Sequence, residues 1–148
     1  MSLKKFAIRS VRSLVLVKLS GEWSMSTDLS YLSELAEHIA RVKARKYCVF
    51  VDMRGWQLEQ PVAHEVAKTD VRFDRRSQKG ECWLQATPQQ ANYLVKFFSA
   101  VRFPLCRTVA KNEVIEWARE LVDEDLVVTL DKWIDTDLRD IEKIFPSN

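Results

Sequence analysis

Two hydrophobic periods alternate along this chain. Over Leu14–Leu19, Val15, Val17 and Leu19 fall on one face and Leu14 and Leu16 on the other. A strand apolar on both sides belongs in the middle of a sheet. Phe6–Ile8 reads as a preceding strand, joined to it by an Arg9–Ser13 turn, so the two are predicted to form an antiparallel hairpin. Gly21 marks an exit, and Ser24–Asp28 is rich in N-cap residues. Leu29, Leu32, Ala36 and Ile39 then recur with a helical period, opposite Glu34 and Glu37. Arg41, Lys43, Arg45 and Lys46 gather where positive charge suits a helix C-terminus.

Tyr47–Met53 is the clearest buried strand, with Arg54-Gly55-Trp56 as its closing turn. Pro61 is placed to open a helix, where its missing N–H costs nothing. Val62, Val66 and Phe73 are that helix's inward candidates, and Arg72, Arg75, Arg76 and Lys79 close it. Glu81–Ala86 is the next strand. Thr87-Pro88-Gln89-Gln90 has the form of a helix start, Thr87 capping and Gln90 reaching back, before Ala91, Leu94, Val95 and Phe98. Leu105–Ala110 is another strand, and Asn112 is expected to cap a helix facing inward through Val114, Trp117, Ala118, Leu121 and Val122. Beyond it, Leu126–Leu130 reads as a short strand, and Ile134, Leu138, Ile141 and Phe145 form an apolar stripe. Strands alternating with helices predict an α/β domain with a mixed, mostly parallel sheet of roughly four to six strands.

Length and composition narrow the class. A chain of 148 residues is the size of one domain, and 47% hydrophobic with 30% charged residues suits a packed core. No stretch approaches the ~20 apolar residues of a membrane span. Three cysteines, Cys48, Cys82 and Cys106, are too few and too widely spaced for a disulfide framework or a zinc cluster. Each reads as a small buried hydrophobe, which suits a reducing cytoplasm. Charge is divided unevenly. From Asp123 onward eight acidic residues face three basic ones, and the first 122 residues carry the opposite excess. The expected organisation is therefore a domain over 1–122 and an acidic, amphipathic extension over 123–148. The extension would pack on that domain or on a partner subunit, the latter giving a homodimer.

The segments LVLVKLSGEW, YCVFVDMRGW, ECWLQATPQQANYL and CRTVAKNEVIEWARE resemble, in order and pattern, the STAS family and its anti-sigma-factor antagonists. The resemblance covers roughly Phe6 to Val122. It implies a β/α superhelix and a regulatory protein partner. In the family, a phosphorylatable Ser or Thr opens the helix after the middle strand. Here the corresponding stretch, RGWQLEQPV over Arg54–Val62, has no Ser or Thr and places Pro61 near that position. The loop's shape is kept through Asp52, Gly55 and Pro61, and its chemistry is not. The variant also looks similar to divergent STAS-like proteins compared with lipid-transfer CRAL-TRIO domains, which permits a cavity for a small apolar ligand.

Motifs for chemistry are few. His64-Glu65 begins like a zincin helix, but Lys68 stands where the second His would be needed. No G-x-S-x-G elbow, Walker A loop or dinucleotide fingerprint occurs among three isolated glycines. The basic clusters lack interleaved aromatics and a recognition helix, which argues against nucleic acid. No cofactor, metal or catalytic residue is expected. The candidate binding residues are Asp52, Arg54, Gly55, Trp56, Pro61 and His64, at the strand end where open α/β sheets take ligands. The expected function is a non-enzymatic, protein-binding regulatory module, with a small-molecule or lipid carrier as the alternative.

Overall fold

The computed structural model describes residues 4–58 and 74–147. Five strands form one sheet in the order β1-β2-β3-β4-β5: Phe6–Val11, Leu14–Trp23, Tyr47–Leu58, Gln78–Leu84 and Leu105–Thr108. β1 and β2 are antiparallel, and every later pairing is parallel. The expected mixed, mostly parallel α/β sheet is thus observed. The hairpin is tighter than Arg9–Ser13 suggests: β1 runs to Val11, and Arg12 turns the chain at a φ of 51°. β2 also passes through Gly21 instead of ending there. Gly21 sits at φ 77°, a conformation a side chain would strain.

Helices cover both faces. α1 (Met25–Val42) is capped by Ser24, whose hydroxyl accepts from the Thr27 N–H, and it lies on one face. α2 (Lys111–Leu121), α3 (Glu124–Asp135) and the short α4 (Ile141–Ile144) lie on the other. The α1 side holds Val15, Val17, Val49, Val51, Trp23 and Trp83; the α3 side holds Leu14, Leu16, Phe50, Cys48, Cys82 and Trp133. The two faces of β2 separate as its alternation predicts. Gly80 lets α2 approach β4 closely: a Cβ there would stand 3.0 Å from Leu121 Cδ1.

Several local expectations are corrected. The buried stripe of α1 is Asp28, Leu35, Ile39 and Val42, leaving Leu29 53% exposed. The stripe is rotated because Tyr31, one turn after Asp28, stacks inward on Trp23. β3 does not end at Met53; Arg54, Gly55 and Trp56 continue it beside β2. Leu126–Leu130 is helical, within α3. α2 begins after Ala110, so Asn112 lies inside the helix and caps nothing. After β4 the chain forms a 3-10 helix at Asn92–Phe98. Ahead of it Ala91 is left-handed at φ 63°, and Gln90 reaches back to the Ala86 N–H. Lys79, expected to close a helix, lies in β4. The helix placed after Pro61 lies outside the described residues.

The acidic C-terminal residues meet basic groups of the same chain. Arg9 pairs with Glu142 at 2.7 Å and donates to the Phe145 carbonyl, while Arg12 pairs with Asp125. Leu126, Leu130, Trp133, Ile134 and Ile141 are buried in the same cluster as Leu14, Leu16 and Phe50.

Candidate functional site

The carboxyl end of β3 presents chemically different groups to the two sides of the sheet. Up to Asp52, β3 keeps strict register with β2, Lys18 opposite Asp52. Beyond it Ser20 pairs with Gly55, so one extra residue of β3 is accommodated at the Met53–Arg54 step. Such a bulge reverses which face later side chains take. Asp52 therefore faces α3, whereas Trp56 joins the α1 side.

On the α3 side the candidate residues are engaged internally. Asp52, 3% exposed, pairs with Lys18 at 3.1 Å and with Arg54 at 2.8 Å. Lys18 also donates to the carbonyls of Thr136 (2.7 Å) and Ile134 (3.3 Å), and Arg54 to Ile134 at 2.9 Å. Both cations thus satisfy carbonyls at the C-terminal end of α3, where a helix dipole favours positive charge. Burial pushes the Asp52 carboxyl up, but hydrogen bonds from Arg54 and the Lys18 and Arg54 charges outweigh it and hold it below the usual range. Burial pulls the Lys18 ammonium down from its ordinary value.

On the α1 side Trp56 is buried, its ring 5.5 Å and edge-on from Trp23, which stacks at 5.2 Å on Tyr31. Among the described residues no acceptor meets the Trp56 indole N–H. Beside this stack the chain at 85–92 is held firmly. Arg107 donates to Gln85, to the carbonyls of Pro88 and Gln90, and to Asn92 Oδ1. Gln85 donates to the carbonyls of Thr87 and Gln90, and Gln90 to those of Met53 and Trp56. These bonds fix the loop against β3 and leave its carbonyls occupied.

No family model matches the chain, and no curated protein matches it in sequence. Its fold does match solved structures. An uncharacterised protein of the DUF3478 family with a SpoIIAA-like fold, from Shewanella loihica PV-4, superposes at a TM-score of 0.56 and 15% identity. The match covers 79% of this chain and 96% of that one. The fold is SpoIIAA-like, that is, STAS-like. An anti-sigma factor antagonist from Mycobacterium paratuberculosis aligns at a TM-score of 0.48 and 15% identity, over 77% of this chain and 92% of that one.

Within this STAS-like domain, the structure brings Asp52 and Arg54 together, sends Trp56 to the opposite face and keeps Gly55 in the strand between them. Pro61 and His64 lie outside the described residues. Sequence reading missed Asp28. Its place in Ser24–Asp28 suits an N-cap residue, yet it stands 5% exposed on the inward face of α1, one turn before Tyr31. Its carboxyl has no hydrogen bond or ion pair among the described residues, and burial alone pushes it up to about 6. The available signal was a lone acid in phase with Tyr31, Leu35, Ile39 and Val42. Glu81 is buried too, but is matched by Arg75 at 2.8 Å and by the Trp83 indole N–H at 2.7 Å. Among the described residues no group of His, Cys, Asp and Glu converges as a metal site, and no helix is long and apolar enough to cross a membrane.

A pH-dependent stability follows from Asp28. Its folded pKa lies above its unfolded one of 3.8, so the folded state binds more protons between about 4 and 6. Stability should therefore fall as pH rises through that window, by on the order of 2–3 kcal/mol from this group. Asp28→Asn is expected to remove that slope and raise the melting temperature at pH 7, with little change at pH 4. Melting curves of the two proteins across this range provide the check, and parallel curves would exclude an uncompensated Asp28 carboxylate.

Proposed function

We propose that the protein is a non-enzymatic regulatory module that binds a protein partner at the carboxyl end of β3, on the α1 side. The observation that carries this reading is a pair of unmet polar groups along one aromatic stack. The Trp56 N–H lacks an acceptor and the Asp28 carboxyl lacks a donor among the described residues; Trp56, Trp23 and Tyr31 form the stack, and Asp28 stands one helical turn before Tyr31. An unsatisfied buried donor is expensive to keep, and a partner whose docking opens this strand end would supply the Trp56 N–H with an acceptor and the Asp28 carboxylate with a cation. The clamped 85–92 loop gives that partner a preformed rim, which limits the ordering cost of binding. The STAS-like fold supports a regulatory role. The proposed binding surface includes Gly55 and Trp56. Asp52 and Arg54 support it from behind by anchoring α3, and residues 123–148 act as part of the same folding unit as 1–122.

The test is crosslinking of the full chain in extract from its native host, followed by purification of the captured protein and titration against wild type. Trp56→Ala is expected to weaken that affinity at least tenfold, roughly the loss of one interface anchor, while the far-ultraviolet spectrum stays unchanged. Undiminished affinity in a folded Trp56→Ala protein rejects the proposed surface. A small molecule retained through purification and released on denaturation would instead favour the carrier reading.

A further inference from the structure

Cys82 and Cys106 are direct register partners across the parallel β4–β5 ladder, and neither is bonded in a disulfide. Register partners project from the same face of a sheet, here the one covered by α2 and α3. Neighbouring strands lie about 4.8 Å apart, within the Cα separation of roughly 4.4–6.8 Å that a disulfide spans. The Cβ atoms of such a pair are somewhat wider apart than the ~3.8 Å usual in a bridge, so closure has to draw the strands together. β5 can yield: it is four residues long, and among the described residues it forms the edge of the sheet with β4 as its one neighbour.

The two thiols differ in a way that suits sequential chemistry. Cys82 is fully buried, whereas Cys106 is half-buried, a departure from the expectation that all three cysteines are core. Their mutual interaction lowers the Cys106 thiol below its ordinary value and, with burial, raises Cys82. Cys48, the third cysteine, is buried on β3, and burial pushes its thiol up. The sequence therefore places an ionisable, reachable sulfur next to a protected one, the arrangement of an attacking and a resolving thiol.

We propose that Cys82 and Cys106 form a reversible intrachain disulfide by exchange with a low-molecular-weight disulfide. The Cys106 thiolate attacks one sulfur of that disulfide, breaking its S–S bond and releasing the first small thiol. The Cys82 sulfur then attacks the Cys106 sulfur of the mixed disulfide and expels the second small thiol. The two protein thiols are oxidised, the small disulfide is reduced to two thiols, and the protons of Cys82 and Cys106 end on those leaving thiols. The bridge ties the edge strand, whose next residue, Arg107, holds the 85–92 loop. Because closure strains the ladder, reduction by excess small thiol is favourable.

The full chain is incubated with oxidised glutathione at neutral pH, then acid-quenched and measured by intact mass and by non-reducing peptide mapping. The expected product is a monomer lighter by two hydrogens. It yields one Cys82–Cys106 linked peptide, and excess reduced glutathione reverses it. Cys48 should react at least about tenfold more slowly, as a buried thiol does. Cys48→Ser should leave the bridge unchanged, and Cys106→Ser should abolish it. Stable glutathionylation of Cys106 without a bridge overturns the proposal, as does a disulfide between two chains, a bridge involving Cys48, or no reaction.

Discussion

Asp52→Ala is expected to destabilise the protein by about 3–5 kcal/mol, the usual cost of removing one partner from a buried ion pair. The pair is well enclosed: the Lys18 side chain is 9% exposed and that of Asp52 4%. Without the carboxylate, the Lys18 ammonium keeps its contacts to the Thr136 and Ile134 carbonyls but loses its counter-charge. Arg54 loses its bidentate grip on Asp52 Oδ1 and Oδ2 and with it the geometry that points it at α3. Arg54→Ala should be milder, about 1 kcal/mol, because its side chain is 44% exposed. Lys18→Met combined with Asp52→Leu should recover much of the loss, since the penalty is mainly a buried charge left unpaired. The pH dependence has a definite sign. The folded Asp52 pKa lies below its unfolded value of 3.8, so its contribution is complete above that value and is lost as pH falls through the folded pKa. Urea titrations of the three variants at neutral pH check this. An Asp52→Ala cost under about 1 kcal/mol would mean that the pair is not holding α3.

The architecture was readable because its strands carry unambiguous patterns. LVLVKL places apolar residues on both faces, and that fixes β2 as central whatever surrounds it. LVVTL, over Leu126–Leu130, has no such decisive pattern. Its β-branched residues suggest a strand, and a short apolar run cannot by itself distinguish the two structures. It is helical because Glu124 and Asp125 favour a helix N-terminus and because Leu126, Val127, Leu130, Trp133 and Ile134 share one helical face on the sheet. The Thr87-Pro88-Gln89-Gln90 signature failed for a similarly distant reason. Arg107 and Gln85 draw the carbonyls of Thr87, Pro88 and Gln90 into side-chain hydrogen bonds, and the backbone makes i→i+3 turns there, the Thr87 carbonyl accepting from the Gln90 N–H, in place of an α-helical ladder.

At the candidate site, the strand end is legible along the chain, but the faces its residues take are not. Asp52, Arg54 and Trp56 share a parity that an unbroken strand would send to one side. The extra residue at Met53–Arg54 separates them, and nothing in DMRGW announces it. The groups that give Asp52 its role, Lys18 and, through Arg54, the Ile134 carbonyl, are far away in sequence. Asp28 was hidden by the opposite difficulty, as an acid near a helix start has an ordinary explanation. Its placement on the buried stripe is decided by Tyr31 and Trp23 packing beneath the helix.

A chain ending at Val122 is expected not to fold as a monomer. The deletion removes Leu126, Val127, Leu130, Trp133, Ile134 and Ile141, all at most 3% exposed, from the cluster that covers Leu14, Leu16, Cys48 and Phe50. At about 1.5–3 kcal/mol for each buried side chain, the loss is on the order of 10 kcal/mol or more, comparable to the whole stability of a small domain. It would also leave Lys18 without its helix carbonyls and Arg9 without Glu142 and the Phe145 carbonyl. Trp133→Ala tests the same packing within a complete chain. That indole is fully buried, donates to the Val17 carbonyl at 3.1 Å and meets Phe145 edge-on at 5.1 Å. Its removal should cost about 3–5 kcal/mol. Trp133→Phe, which keeps most of the ring packing but loses the donor, should cost less than Trp133→Ala, with about 1 kcal/mol of it from the hydrogen bond. A truncated chain that stays monomeric and melts cooperatively near the full-length temperature would show that residues 123–148 merely lie against the sheet. Loss of the cooperative transition, together with the graded response at Trp133, would make them one half of the core.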